Sequence, residues 1–280
     1  MKKIKIANAT FMIASETNAL MWEDSIIDPS IDIKYLENSN VKLVYISHGH
    51  ADHFRQAHFL RQKGALVLAS KKETMFIQEP AINVRAMFSW AALPPAMVTR
   101  FFQGEACQVD MYTENAHDYP IQVIPLPGHS IGHVGFLLPS KVLYCGDALW
   151  QRKNWELFPL PYMIDIDQVR NSIDKIKNLE YKWLLPGHGE LMSKEESMKD
   201  LDYELDKISE IEDIILEILV TPMNIEDLAK NISIKLHLID RVNQYWLTLV
   251  VLKAFLCNLF EREIVDCQYE DYRALWKVKR

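Results

Sequence analysis

The 280-residue chain is short of the features that most quickly assign a class. It has no C-x-x-C pair. Its 4 cysteines, Cys107, Cys145, Cys257 and Cys267, are scattered, which excludes a zinc ribbon and a dithiol redox motif. So few in a chain this long do not build a disulfide scaffold, and reduced thiols in a cytoplasmic protein are the simpler reading. Positive charge is not in excess. Lys+Arg number 31 against 38 Asp+Glu, a net charge of −7, so no basic field favours nucleic acid or an anionic membrane. Long apolar runs are missing too. The most apolar segment, Val242 to Phe260, is interrupted by Asn243, Gln244, Lys253 and Asn258, which suits a buried helix and not a membrane span. The opening "MKKIKIANATFMIA" starts basic, as a signal peptide does, but Asn8 and Thr10 break its apolar stretch, and Lys2, Ile4 and Ile6 alternate like a first strand.

What is present is ordinary globular material, 49% hydrophobic and 25% charged, enough for one large domain or a large and a small one. Up to about residue 200, short β-rich runs alternate with turns: "KIKIANATFMIA", "SIIDPS", "VKLVYIS", "ALVLAS", "IQVIPLP", "GFLLP", "KVLYCG" and "YKWLLPG". Helical patterns lie between them at Phe54 to Lys63 and at Ile166 to Leu179, where Ile166, Val169, Ile173 and Ile176 recur at helical spacing. The texture then changes. A long acidic helical pattern starts at Met192, Pro222 breaks it, Asn224 is placed to cap the next helix, and an apolar helix runs to about Phe260. The last stretch predicts two strands around a turn at Glu270-Asp271. The expected organisation is an α/β domain over residues 1–200 and a small helical, winged-helix-like domain over 201–280.

The chemistry is concentrated in "YISHGHADHF", which crowds His48, His50, Asp52 and His53 at the end of an apolar run. Other apolar strands also end in metal-ligand residues: "IQVIPLPG" at His129, "KVLYCG" at Asp147 and "YKWLLPG" at His188. Strand ends hold ligands rigidly while the loops leave room for substrate. Gly49, Gly128, Gly146 and Gly187 stand beside these residues, where the backbone must turn sharply.

The motifs "HGHADH", "PLPGHSIGH", "CGDAL" and "PGHG" resemble, in order, those of the metallo-β-lactamase superfamily of metal-dependent hydrolases, over roughly residues 1–200. The resemblance implies a four-layer αββα sandwich, followed here by the small C-terminal domain. It implies two divalent metal ions, Zn²⁺ by ligand chemistry with Fe or Mn also accepted. One would be held by His48, His50 and His129, the other by Asp52, His53 and His188, with Asp147 bridging. It further implies a hydroxide shared between the metals as nucleophile, since coordinated water falls from a pKa of about 15.7 toward about 7, with Asp52 orienting it as a catalytic residue.

"PLPGHSIGHVGF" is similar to the hydroxyacylglutathione-hydrolase-like branch, which implies a small thioester, ester or lactone as substrate. The alternatives are a phosphodiesterase or nuclease on the same scaffold and a mononuclear-iron persulfide dioxygenase. Residues 201–280 carry 15 Asp+Glu and 10 Lys+Arg, a net of −5 that opposes nucleic acid. The same domain could pair two copies of the chain. Where many members follow the first motif with paired glycines, this chain reads "DHFRQAHFL", so the loop lining the site differs.

Secondary expectations concern neighbours. Asp28 in "IIDPS" is read as support for the site, His133 as either support for His129 or a structural histidine, and Cys145 as a small buried residue. His58, His117 and His237 are read as surface or helix residues. Arg55, Arg152 and Lys153 are candidate contacts for an anionic substrate group, with solvation the commoner fate. "AMFSWAALPPAMVTRFF", with Trp150 and Trp155, reads as core or as an apolar lid.

Overall fold

The computed structural model describes residues 2–95, 98 and 103–279. Two β-sheets stack face to face. The first has strand order β1-β2-β3-β4-β5-β6-β7: β1 (Lys2–Ala7), β2 (Thr10–Ala14), β3 (Ala19–Trp22), β4 (Ser25–Ile27), β5 (Leu43–Tyr45), β6 (Leu66–Ala69) and β7 (Met111–Tyr112). It is antiparallel from β1 to β4 and parallel from β4 to β7. The second has order β12-β11-β10-β9-β8, built from β8 (Gln122–Pro125), β9 (Val134–Leu137), β10 (Val142–Gly146), β11 (Trp183–Pro186) and β12 (Met192–Ser193).

The two-residue period of a strand sorts side chains into layers. In the first sheet Ile27, Tyr45 and Leu68 point inward, onto Val134, Phe136, Tyr144 and Leu185 of the second. Their neighbours Ile26, Val44 and Val67 point outward, onto Ala57, Leu60 and Ile77. Leu143, Cys145 and Leu184 likewise point out of the second sheet, onto Ile166, Val169, Ile173 and Ile176. Each buried aliphatic side chain contributes about 1.5–3 kcal/mol. The result is the expected helix–sheet–sheet–helix sandwich. Helices α1 (Ala57–Gln62), α2 (Thr74–Gln78) and α3 (Ala81–Met87) follow strands of the first sheet. Helices α4 (Arg152–Leu157) and α5 (Ile166–Asn178) lie between β10 and β11.

Helix α6 (Lys194–Ile218) opens with a capping box in which the Ser193 hydroxyl accepts from the Glu196 N–H and the Glu196 carboxylate accepts from the Ser193 N–H. It runs through residue 200 without a break. Leu201, Ile208, Ile211 and Ile215 share one apolar cluster with α5, the outer face of the second sheet, and the two following helices, α7 (Ile225–Lys235) and α8 (Val242–Glu261). The Asn224 side chain caps α7 through the Asp227 N–H, as its position predicts. Strands β13 (Val265–Glu270) and β14 (Arg273–Val278) form the terminal hairpin.

The differences from the sequence reading are local. "KIKIANATFMIA" is a hairpin of two strands, broken at Ala9, whose φ is 52°. The last turn sits one residue later than expected: Glu270 pairs with Arg273, and Asp271 and Tyr272 take φ of 47° and 59°, the left-handed pair a two-residue hairpin needs. Helix α1 starts at Ala57 and not at Phe54, because the preceding residues close the ligand loop through His53 N–H to His50 C=O at 3.0 Å. Strands β3, β7 and β12 had no expected counterpart, and two of them are too short to show a period.

Candidate metal centre

The seven ligand-type residues meet at one end of the sandwich. His48, His50, Asp52 and His53 follow β5 of the first sheet, whereas His129, Asp147 and His188 follow β8, β10 and β11 of the second. Three sets place one ligand atom per residue within 4.8 Å of each other: His48, His50 and His129; His48, His53 and Asp147; and Asp52, His53 and His188.

The orientation of three imidazoles is fixed from behind. His53 Nδ1 lies 2.7 Å from Asp28 Oδ2, and that carboxylate also accepts from the Ser47 N–H, the Ser47 hydroxyl and the Tyr144 hydroxyl. His129 Nδ1 lies 2.9 Å from the Tyr162 carbonyl, and His188 Nδ1 lies 2.6 Å from the Glu16 carbonyl. An oxygen acceptor at Nδ1 makes that nitrogen an N–H, which leaves Nε2 facing the shared space. There His53 Nε2 is 3.3 Å from Asp147 Oδ1, His129 Nε2 is 3.4 Å from Asp147 Oδ2, and His188 Nε2 is 3.2 Å from Asp52 Oδ2. Two imidazole nitrogens, His129 Nε2 and His50 Nδ1, face each other at 3.0 Å. Buried His48 Nε2, His53 Nε2 and Asp147 Oδ1 have no hydrogen-bond partner. Unpartnered nitrogen and carboxylate donors converging at this spacing fit a divalent cation, and their N/O chemistry suits Zn²⁺ or a similar ion.

Electrostatics divides the cluster. Burial holds His48 well below the usual imidazole range and, with His129, pushes His50 down to about 3. Burial also lowers His129. These three are neutral imidazoles. On the other side burial opposes the charge on His53, but Asp147, Asp52 and Asp28 outweigh it and hold the imidazole well above its usual range. His188 is likewise raised, against burial, to about 9 by Asp147 and Asp52. Burial would raise Asp147, yet His53 and His188 hold it well below the usual carboxylate range. The negative charge facing the shared space is therefore concentrated on Asp52 and Asp147.

Among the secondary expectations, Asp28 supports His53 as described, at the end of β4 in the left-handed region (φ 47°). His133 supports the site through Asp147 and not through His129: its Nε2 accepts the Asp147 N–H at 3.0 Å. Cys145 is buried in the apolar cluster behind the second sheet. The Arg152 guanidinium lies over the Tyr203 ring, and Lys153 pairs with Glu190 at 2.7 Å, so both cations have partners on the protein. Arg55 is exposed. Trp155 packs in the core, while the Trp150 ring lies 5.8 Å from His188 and the Tyr162 ring 5.4 Å from His50. The aromatic, Met-rich stretch 86–102 falls partly outside the described residues, at 96–97 and 99–102.

Other supports gave no motif to find. The Thr17 hydroxyl donates to Asp52 Oδ2 at 3.0 Å, and the Asn18 side chain donates to the Pro186 and Gly189 carbonyls around His188. Buried Glu204 of α6 accepts the Trp150 N–H at 2.9 Å, just after Asp147. Gly187 stands where the backbone crowds the site: a Cβ there would collide with Asp147 Oδ1 and His53.

Residues 14–188 match the family model of the Metallo-beta-lactamase superfamily. The chain belongs to that superfamily. Among curated proteins, the chain is 29% identical over 147 residues to the hydroxyacylglutathione hydrolase GloC of Haemophilus influenzae, covering 48% of this chain and 66% of that one. It is 30% identical over 164 residues to a hydroxyacylglutathione hydrolase of Pelagibacter ubique, covering 56% and 57%. The matched region thus spans less than two thirds of either relative. Among solved structures, a metallo-beta-lactamase family protein of Thermus thermophilus shares the fold with a TM-score of 0.68 at 17% identity, over 99% of this chain and 97% of that one. A beta-lactamase domain protein of Burkholderia ambifaria does so with a TM-score of 0.64 at 16% identity, over 99% and 94%. The superfamily likeness in fold therefore extends past the matched sequence into the C-terminal helices. Among the described residues, no helix of this superfamily member is long and apolar enough to cross a membrane.

Proposed function

We propose that the protein is a two-metal hydrolase of small thioesters, esters or lactones. The observation that carries this reading is the convergence of seven ligand side chains from both sheets, with unpartnered donor atoms at His48, His53 and Asp147. His48, His50 and His129 would hold one cation, Asp52, His53 and His188 the other, and Asp147 both. When bound, the ions supply Lewis acidity that polarises the acyl oxygen and makes water nucleophilic near neutral pH.

The chain's own residues do the rest. Asp52, fixed by the Thr17 hydroxyl, orients the attacking water and takes its proton. Asp28 and the Tyr162 and Glu16 carbonyls keep three imidazoles in the ligating tautomer. Tyr162 beside His50 and Trp150 beside His188 flank the centre with aromatic faces, which suits an apolar acyl or leaving group and limits bulk water. No side-chain nucleophile is required. The relatives named hydroxyacylglutathione hydrolases favour a thioester.

Metal analysis combined with a turnover screen over thioesters, lactones, β-lactams and bis-p-nitrophenyl phosphate tests the proposal. The expected result is two equivalents of divalent metal and hydrolysis of a thioester or lactone. Turnover of the phosphodiester alone, one iron with oxygen consumption, or no bound divalent ion would overturn it.

A further inference from the structure

Glu73, in the turn between β6 and α2, is 1% exposed, and its hydrogen bonds go to neighbours of the seven candidate ligand residues and not to those residues themselves. Its carboxylate receives three donors from two separate loops. Oε2 accepts the Gly49 N–H at 2.8 Å; Oε1 accepts the Ser130 hydroxyl at 2.8 Å and the Gly132 N–H at 2.7 Å. Gly49 lies between His48 and His50. Ser130 and Gly132 follow His129. The two peptides are gripped from their carbonyl sides as well: the Asn83 side chain donates to the Gly49 carbonyl, and the Ser70 hydroxyl donates to the Gly132 carbonyl at 2.7 Å.

The contact is close enough to dictate glycine. A Cβ at Gly49 would run into Phe76, and a Cβ at Gly132 would come within 2.6 Å of both Lys72 Cβ and Ser70 Oγ. Segment 70–83 is therefore packed directly against the backs of both loops. Burying a carboxylate is costly unless its lone pairs are satisfied, and here three donors from the metal-ligand loops satisfy it.

We propose that Glu73 is a positioning residue for the three-histidine side of the centre: its carboxylate, aided by Ser70 and Asn83, fastens the loop of His48 and His50 to the loop of His129 and so sets that cation site without touching it. The inference rests on the two-metal reading. It assigns Glu73 to one cation and not the other, because Asp52, His53 and His188 take their support from Thr17, Asp28 and the Glu16 carbonyl.

Glu73→Gln tests it. The amide keeps the shape but puts an NH₂ where one of the N–H donors needs an acceptor. Zn²⁺ and Co²⁺ titrations of the metal-stripped full-length protein, followed by calorimetry and by the visible spectrum of Co²⁺, report the two sites separately. The wild type should bind two equivalents. The variant should bind one equivalent as before and the other about 10–100-fold more weakly. Placed in a His188→Ala background, Glu73→Gln should weaken the remaining equivalent; in a His129→Ala background it should not. A general loss of structure would weaken both alike. If Glu73→Gln does not fold, Asn83→Ala and Ser130→Ala carry the same selective prediction. Two wild-type equivalents with both affinities unchanged, or equally reduced, in the variants overturn the role of Glu73 alone. A wild type that binds no divalent ion overturns the two-metal reading itself.

Discussion

The two halves of the proposed metal centre are built differently. The half made of His48, His50 and His129 presents neutral ligands, and the charge that supports it, Glu73, is hidden behind the backbone. The half proposed for Asp52, His53 and His188 carries negative charge on Asp52 itself, and the Thr17 hydroxyl, the Glu16 carbonyl and the Asp28 carboxylate lie behind it. The three-histidine set has no carboxylate of its own beyond the shared Asp147, so its affinity should depend more on geometry. A charged set tolerates looser geometry because Coulomb attraction supplements it. The halves should thus fail differently when their supports are removed.

Asp147 belongs to both halves, so its loss should be the largest effect. Asp147→Ala is expected to release metal and to cut turnover on the order of 10³-fold, several kcal/mol of lost transition-state stabilisation. Helices α6 to α8 should stay folded by circular dichroism; a variant with full metal and full rate would erase the distinction drawn above. Next comes Asp28→Asn, which removes the charge behind His53 and puts an NH₂ in place of one acceptor oxygen, and should weaken the charged half by about 10–100-fold in metal affinity. An equal weakening at the three-histidine site, read by the same titrations, would show that the halves are not independent. Thr17→Ala removes one hydrogen bond to Asp52 and should cost about tenfold in kcat/KM, little of it in metal content.

The smallest effect on turnover should come from Glu204, and it has a pH signature. Burial pushes this carboxyl up to about 8 from the usual 4.5, despite the Trp150 N–H that it accepts. A group raised in the folded state gives its full stabilising contribution below the unfolded value and loses it as pH rises through the folded value. The wild type should therefore lose on the order of 4 kcal/mol of stability between about pH 4.5 and 8, and Glu204→Gln should flatten that slope in denaturant titrations. An unchanged slope would remove Glu204 from the list of supports behind the Asp147 loop.

Much of the candidate centre was legible in the chain because the proposed ligand residues stand at or just after the ends of apolar runs, a position with its own signature in composition and period. The layers followed from the same alternation: Val44 and Tyr45 differ by one residue and lie in different cores. Supports that act through backbone groups left no such trace. Glu73 sits in "KKETMF", which reads as a solvated turn, and its partners are two N–H groups and a serine far away in sequence. Thr17 and Asn18 stand in a loop before β3, a strand whose four residues show no clear alternation. Asp28 was readable because it ends an early strand at a place where the resembled family often has an aspartate; Glu204 was not, since a glutamate in an acidic helix is expected on the surface, and its burial depends on how α6 packs.

The ligands come from both sheets, and this has a mechanical consequence. His48 to His53 are attached to the first sheet, His129, Asp147 and His188 to the second, so occupancy of the centre rivets the sandwich along one seam. A saturating cation at about a thousandfold over its dissociation constant adds about 4 kcal/mol to the folded state. Chelation should thus unzip that end before the helical end loosens, with amide exchange accelerating first around β5 and β10.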